Sequence, residues 1–340
     1  MTRNDEVFFC VSSDLPLFST GWPQSPKPES RHFGGRGGPA GGRSTIGRVV
    51  AMAVLAAGIA AGGPGAAARA AIDTPHLAVS DATGTLSQGD LGRLAGQAEA
   101  LLGRVLAFWS ADGATDRLGK IAVVFDAPRR GAYSSVFYWG TANGRRVRVV
   151  RVFGFAGTPQ MMAHKLTSAV FPQKDKLIRN LMGTLAEAQV GNPLTFPRCG
   201  LDGDDWVRAL IEAKALVPLA GLGPDHEAWG MKLAAGGQVT VFDRAKQHAA
   251  YAETESFGGH LFRTHGIAGL KRLQALSQGR ERPFREAFGA DLADLEANWL
   301  AALAATAGER QGPAARASAL WKADPAGACA EAQRQAHGPR

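Results

Sequence analysis

Residues 161–170 constrain the fold more than any other stretch of this sequence. Apolar residues recur at every fourth position from Met162 to Val170, which is the spacing of an apolar face on an α-helix. The same spacing puts His164 and Ser168 one turn apart on a single face. The sequence therefore predicts a buried helix that carries an imidazole and a hydroxyl group side by side.

Residues 1–70 have the composition of a leader. Residues 1–42 are rich in Gly, Pro and Ser, which predicts disorder. Two arginines then precede an apolar run at residues 49–61 and a small-residue sequence that ends at Ala70. This layout is typical of a secretory signal peptide, and the run is short for a bilayer span. We therefore expect cleavage near Ala70, export to the periplasm or the medium, and no stable membrane span afterwards. An N-terminal membrane anchor and a translation start near Met52 are the alternatives.

Cysteine usage agrees with export. Cys10 falls in the leader, so Cys199 and Cys329 remain as an even pair in the mature chain. In an oxidising compartment these thiols are expected to form one disulfide that joins the C-terminal tail to the body of the protein. Two unrelated thiols are the alternative.

The basic charge of the chain does not indicate nucleic-acid binding. The formal net charge is +8, and seven Lys or Arg against four Asp or Glu place +3 of it in residues 1–70. The remaining excess is spread along the chain without a basic cluster interleaved with aromatic residues, which is the pattern that a nucleic-acid surface requires.

Apolar periodicity predicts a small sheet and one helix in the first part of the mature chain. Ser87 is suited to cap a helix that runs to about residue 109. Asn143-Gly144 is a hairpin signal between two strands. The strands are expected at residues 76–80, 120–125, 133–139 and 146–153.

The rest of the chain is predicted to be mostly helical. Residues 174–180 are interpreted as a polar connection between the His164 helix and a helix at residues 181–190. Further helices are expected at residues 206–215, 247–264, 267–276, 283–288 and 292–304, with a short strand near residues 239–243. The fold class is therefore α+β, in which a small N-terminal sheet with an edge hairpin precedes a mostly helical part. One domain is expected over residues 71–304, and an Ala- and Gly-rich tail over residues 305–340 that is loose apart from the segment around Cys329.

The His164 helix belongs to a recognisable series of segments. It follows a sheet that ends in an edge hairpin, and it precedes a helix in which Glu187 lies 19 residues beyond Ser168. A later segment reads Tyr-Ala-Glu-Thr-Glu-Ser-Phe from Tyr251. This order resembles the gluzincin-type, peptidase-MA-like zinc metallopeptidases over residues 120–304.

The resemblance implies where a zinc site would lie in this chain. In the family's H-E-x-x-H motif both His bind zinc and the Glu acts as general base, while a Glu on the next helix is the third ligand. By position, His164, Ser168 and Glu187 would be the metal-site residues. Lys165 stands at the position of the general base, and Tyr251 stands where family members support the transition state.

The departures from this motif decide the functional expectation. A zinc site needs three protein ligands and a water, and the hydroxyl of Ser168 is a poor ligand with a short reach. Lys165 puts a positive charge beside the metal and does not accept a proton near neutral pH unless its pKa is strongly lowered. Lys165 can instead pair with Glu187. We therefore expect an exported pseudopeptidase, without bound zinc, that binds a peptide or a cell-envelope partner. The alternatives are an active zinc peptidase with a non-standard third ligand, His260 being the first candidate, and a non-enzymatic structural protein of the periplasm.

Overall fold

The protein has an α+β fold, as predicted, with a small mixed sheet followed mostly by helices. The predicted leader and signal peptide at residues 1–70 lie outside the described residues. The computed structural model describes residues 71–127, 135–142, 144–154, 161–233 and 239–337.

The main sheet has a parallel centre and antiparallel edges. Its strands are β1 (Ala71–Asp73), β2 (Leu77–Asp81), β3 (Ile121–Asp126), β4 (Ser135–Ala142) and β5 (Arg145–Phe153). Their order is β1-β2-β3-β5-β4, with β2, β3 and β5 parallel. β4 and β5 form the predicted edge hairpin, with Ser135 opposite Val152 and Ala142 opposite Arg145. A separate pair joins β6 (Met231–Leu233) to β7 (Val239–Val241).

Helices form most of the remaining structure. They are α1 (Gln88–Phe108), α2 (Ala114–Leu118), α3 (Met162–Val170), α4 (Lys176–Val190), α5 (Gly203–Ala213), α6 (Arg244–Leu276), α7 (Phe284–Phe288), α8 (Leu292–Ala305), α9 (Gln311–Ala323) and α10 (Ala328–His337). Ser87 caps α1 as predicted, since its side chain accepts from the Asp90 N–H. α6 breaks at Gly266, whose φ of 65° separates the two helices expected there. Among the helices of the described residues, none combines the length and apolarity that a bilayer crossing demands.

The predicted His164 helix, α3, lies deep in the core. All of its residues except Met162 and Lys165 are buried. The Trp109 indole N–H at the end of α1 donates to the Thr167 hydroxyl at 3.3 Å. The Ser135 hydroxyl of β4 donates to the carbonyl that precedes α3 at 2.8 Å. The sheet and α1 therefore fix the position of α3.

The start of α4 differs from the sequence prediction. This helix begins at Lys176, within the segment interpreted as a polar connection. Asp175 caps it by accepting from the Ile178 N–H at 3.0 Å. Lys176 and Asn180 are buried in spite of their polarity, and their polarity concealed the first turns of the helix.

The sequence predicts a tail that is loose apart from the segment around Cys329, whereas most of it forms α9 and α10. Cys199 and Cys329 are joined by the expected disulfide across 130 residues. Around it, small residues of α9 and α10 pack with Trp206 and Trp321 in a second core. An alanine-rich helix shows little apolar contrast in sequence, so burial against Trp206 of α5 was not visible there.

Candidate functional site

Glu187 closes the N-terminal end of α3. The residue before this helix, Met161, provides no side-chain cap, so the first backbone N–H groups need acceptors from elsewhere. Glu187 on α4 supplies one, because its Oε2 accepts from the His164 N–H at 2.9 Å. A carboxylate in this position also interacts favourably with the helix dipole. The side chain at the third zinc position thus caps the helix that carries His164.

The second carboxylate oxygen of Glu187 is engaged as well. Oε1 accepts from the Asn192 N–H at 3.2 Å and from the Thr195 hydroxyl at 3.2 Å. Gly191 makes this arrangement possible, because a Cβ there would lie 2.1 Å from Oε1. Burial raises the pKa of Glu187 to about 7, and the backbone N–H groups of His164 and Asn192 oppose the rise.

The imidazole of His164 packs against the backbone of α4. A Cβ on Gly183 would lie 2.3 Å from Cδ2 of His164, so glycine leaves room for the ring. Within the part of the chain that the structure describes, neither ring nitrogen forms a hydrogen bond. Burial, followed by the positive charges of Lys165 and Arg179, holds the pKa of His164 well below its usual value. The ring of Tyr251 on α6 is a neighbour, with the two centroids 6.4 Å apart.

Ser168 and Lys165 also depart from the zinc motif in their contacts. The Ser168 hydroxyl donates to the His164 carbonyl at 3.1 Å, which is a common local bond of serine within a helix. The structure forms no ion pair between Lys165 and Glu187, because three protein donors already occupy the carboxylate. Burial lowers the pKa of Lys165 to about 7, with Arg179 adding to the fall and Glu187 opposing it.

The residues at this site do not fit a zinc ion. Zinc requires three or more ligand atoms directed at one point, whereas Glu187 is directed at backbone donors and Ser168 at a carbonyl. No three His, Cys, Asp or Glu side chains among the described residues meet as a metal site would need. His260 does not replace the missing ligand. It follows Tyr251 on α6 by roughly two and a half turns, which directs it to the opposite side of the helix.

Three cations lie beside this site and form what we term the cationic cluster: Lys165 of α3 with Lys176 and Arg179 of α4. Lys176 and Arg179 are three residues apart and share a helix face. Arg179 contributes to the lowered pKa of both lysines, and Lys176 contributes to that of Lys165. None of the ion pairs in the described structure includes a member of the cluster.

Lys176 is the most confined member of the cluster. It retains 5% of its exposure, and its Nζ has no hydrogen-bond acceptor among the described residues. The ammonium lies 5.4 Å from the ring centroid of Trp229, a cation–π contact. Burial lowers the pKa of Lys176 to about 7, with Arg179 adding to the fall and Asp225 opposing it.

Further polar side chains surround the cluster. Asn180 is buried, and its side chain interacts with the hydroxyl of Tyr251. Burial raises the pKa of Tyr251 to about 12, against the effects of Arg179 and Asn180. Burial also lowers the pKa of the half-buried His226, with further contributions from Lys176 and Arg179. The structure therefore brings His164, Lys165 and Tyr251 together with polar residues that the motif did not indicate.

A cleft of about 240 Å³ is lined by charged residues of both signs and by no member of the cationic cluster. Arg198 pairs with Asp202, and Arg310 pairs with Asp202 and with the buried Asp205. The charged lining residues are three of each sign: Arg198, Arg263, Arg310, Asp202, Asp204 and Glu255. Burial raises the pKa of Glu255 to about 8, but each arginine of the cleft is paired with an aspartate, unlike the members of the cationic cluster in the described structure.

Comparisons with known proteins do not assign the chain to a family. A scan against protein-family models, a search of the curated proteins and a search of the solved structures give no match. The metallopeptidase resemblance therefore rests on the residues of this chain alone.

Sequence reasoning missed Lys176, Arg179 and Asn180. The signals that could have found the start of α4 are Asp175, a favoured N-cap residue, and the apolar Leu177, which lies one helical turn before Leu181. No sequence signal shows that a lysine will be buried without a partner, because that arrangement contradicts the usual burial pattern.

Proposed function

We propose that this chain is an exported, metallopeptidase-like protein that does not cut peptides and instead binds a peptide or cell-envelope partner at α3 and α4. Export is supported by the signal-like sequence before Ala71 and by the Cys199–Cys329 disulfide, which suits an oxidising compartment. The order of sheet, edge hairpin, His164 helix and Glu187 helix supports the metallopeptidase-like scaffold.

One observation carries the proposal that the site does not cleave: the hydrogen bonding of Glu187. Both carboxylate oxygens accept from protein donors, and one of those donors is the backbone of the His164 helix itself. A metal ligand needs a free lone pair directed at the ion. Recruiting Glu187 to zinc would leave the N-terminus of α3 without its cap. Lys165 at the general-base position supports the same conclusion.

The proposal is tested by measuring peptide binding and peptide cleavage in parallel. The full chain, produced with its disulfide formed, is mixed with a pool of short labelled peptides in the presence of either a chelator or zinc. We expect binding, followed by fluorescence anisotropy, to be equal in both conditions, and mass spectrometry to detect no cleavage products.

Two variants sharpen this test. Ser168→His adds the missing imidazole, and zinc retained by this variant but not by the parent would support the metallopeptidase-like scaffold. Zinc-dependent cleavage by the parent, lost in Glu187→Gln, would contradict the proposal and indicate an active peptidase with a non-standard ligand set.

A further inference from the structure

We infer that the cationic cluster of Lys165, Lys176 and Arg179 is a binding site for an anionic oxygen group. The inference rests on the proposed function, within which the group is the C-terminal carboxylate of a bound peptide. It adds to that proposal the chemical class of the ligand and the residues that recognise it.

The first argument is that nearby carboxylates do not neutralise the cluster. Glu187 is occupied by three donors. Asp175, next to Lys176 in sequence, accepts from the backbone of α4 and pairs with Arg282 at 3.5 Å. Asp225 is exposed to solvent. The cationic cluster is therefore little compensated by nearby carboxylates, and a bound anion would favour the charged form of Lys176, whose pKa is about 7.

The second argument concerns a polar group that lacks a partner. The buried Nζ of Lys176 has no acceptor in the described structure, although native proteins satisfy most such groups. An ammonium is a donor only. A ligand that satisfies it must therefore present acceptor atoms.

The third argument is the position of the cluster at helix N-termini. Lys176 is the first residue of α4, and Lys165 lies in the first turn of α3. The positive end of the helix dipole makes these positions unfavourable for lysine. Because Glu187 and Asp175 already cap the two helices, a bound anion would interact with the lysines rather than with the backbone N–H groups. Trp229 forms an apolar wall below Lys176, and exclusion of water strengthens a charge-assisted hydrogen bond.

A carboxylate and a phosphate both offer these acceptor oxygens, so the test compares the two. Calorimetric titration of the full chain uses acetyl-trialanine with a free C-terminus, the same peptide with an amidated C-terminus, and inorganic phosphate. We expect the free acid to bind at least about tenfold more tightly than the amide, since an ionised acceptor forms markedly stronger hydrogen bonds.

Matched variants connect the binding to the cluster. Lys176→Met and Arg179→Gln should each weaken binding of the free acid by about tenfold or more. Lys174→Met is the control, because this exposed lysine lies two residues away and should change the affinity by less than about twofold. Circular dichroism of each variant checks that the fold is retained. If Lys176→Met does not fold, Arg179→Gln alone tests whether binding depends on the cluster.

The outcomes separate this inference from the proposed function. Binding of phosphate but of neither peptide, weakened by Lys176→Met, would support the anion site and contradict the peptide ligand. Equal binding of acid and amide, unchanged in Lys176→Met and Arg179→Gln, would overturn the anion site and leave the proposed peptide binding standing. Absence of binding for all three probes would overturn the inference.

Discussion

Each end of α4 buries an ionisable side chain, but within the described structure only the one near the C-terminal end is hydrogen-bonded. Near the C-terminal end, the carboxylate of Glu187 accepts from three donors. At the N-terminal end, about 16 Å away along the helix axis, the ammonium of Lys176 has no acceptor among the described residues. A buried polar group that is fully hydrogen-bonded can serve the fold, whereas an unpaired one costs stability. The contrast points to structure at Glu187 and to function at Lys176, although the zinc motif would have directed attention to Glu187.

The largest expected effect is at the structural end. Glu187→Ala would leave the N–H groups of His164 and Asn192 and the Thr195 hydroxyl without their acceptor. We expect the free energy of unfolding to fall by about 4 kcal/mol, since each unsatisfied buried group costs about 1–3 kcal/mol. Urea unfolding followed by circular dichroism measures it.

Glu187→Gln is the matched control for this prediction. The amide oxygen still accepts hydrogen bonds, and the carboxyl group is already partly protonated at pH 7. We expect a loss of about 1 kcal/mol. A loss in Glu187→Ala no greater than that in Glu187→Gln would show that the three hydrogen bonds do not stabilise the fold.

At the N-terminal end of α4, a substitution should instead increase the free energy of unfolding. Lys176→Met removes a desolvated charge and keeps an unbranched side chain of similar length. We expect the free energy of unfolding to rise by about 2–3 kcal/mol at pH 7, after allowance for the lost cation–π contact with Trp229. The same urea experiment measures it, with Lys174→Met expected to change stability by less than about 0.5 kcal/mol. A destabilised Lys176→Met would mean that Lys176 serves the fold, as Glu187 does.

Between the two ends, Gly183 tests whether His164 is held by packing. Gly183→Ala would place a methyl group 2.3 Å from Cδ2 of His164 and force the ring to move. We expect a loss of about 2 kcal/mol, the usual cost of overpacking. Gly96→Ala on α1 is the control, because its Cβ would meet no atom within 4 Å, and it should stabilise the helix by about 0.5–1 kcal/mol. Similar behaviour of the two variants would contradict the close packing of His164.

A further expected effect is a difference in pH dependence. The pKa of Lys176 falls from its ordinary value of 10.5 to about 7 on folding, so between these values the unfolded chain binds more protons. The destabilisation by Lys176 is therefore absent above pH 10.5 and grows as the pH falls towards 7.

Lys165, Arg179, Asp225 and His226 are present in both the parent and Lys176→Met. Because Lys176 also lowers the pKa of Lys165 and of His226, the difference between the two proteins reports Lys176 together with its effect on these two groups. The advantage of Lys176→Met in urea unfolding should be largest near pH 7 and shrink steadily towards pH 10. An advantage that does not change over this range would mean that Lys176 titrates normally in the folded protein.

Local signals in the sequence predicted much of the fold. The cap at Ser87, the pairing of β4 with β5 and the break at Gly266 each follow from the chemistry of a few neighbouring residues. Asn143 of the hairpin signal itself lies outside the described residues. α9 and α10 were not predicted, because their burial depends on the distant Cys199 and Trp206 rather than on a pattern of their own.

The site was predictable in position but not in chemistry. The spacing of residues in the sequence identified His164, Lys165 and Glu187 as candidate site residues, and the structure places them near one another. Spacing did not show that Glu187 folds back over Gly191 to cap α3, because such a contact depends on tertiary geometry. The spacing also did not indicate that Lys176 is buried, because its polarity predicted a surface connection.

The most direct test of the account is the pKa of the Lys176 ammonium, measured by NMR of ¹³Cε-labelled lysine and assigned with Lys176→Met. The account predicts a pKa near 7 in the free protein and a clear rise when acetyl-trialanine with a free C-terminus is added, because a bound carboxylate favours the charged form. An ordinary lysine pKa in the free protein, or a value near 7 that the carboxylate does not change, would contradict it.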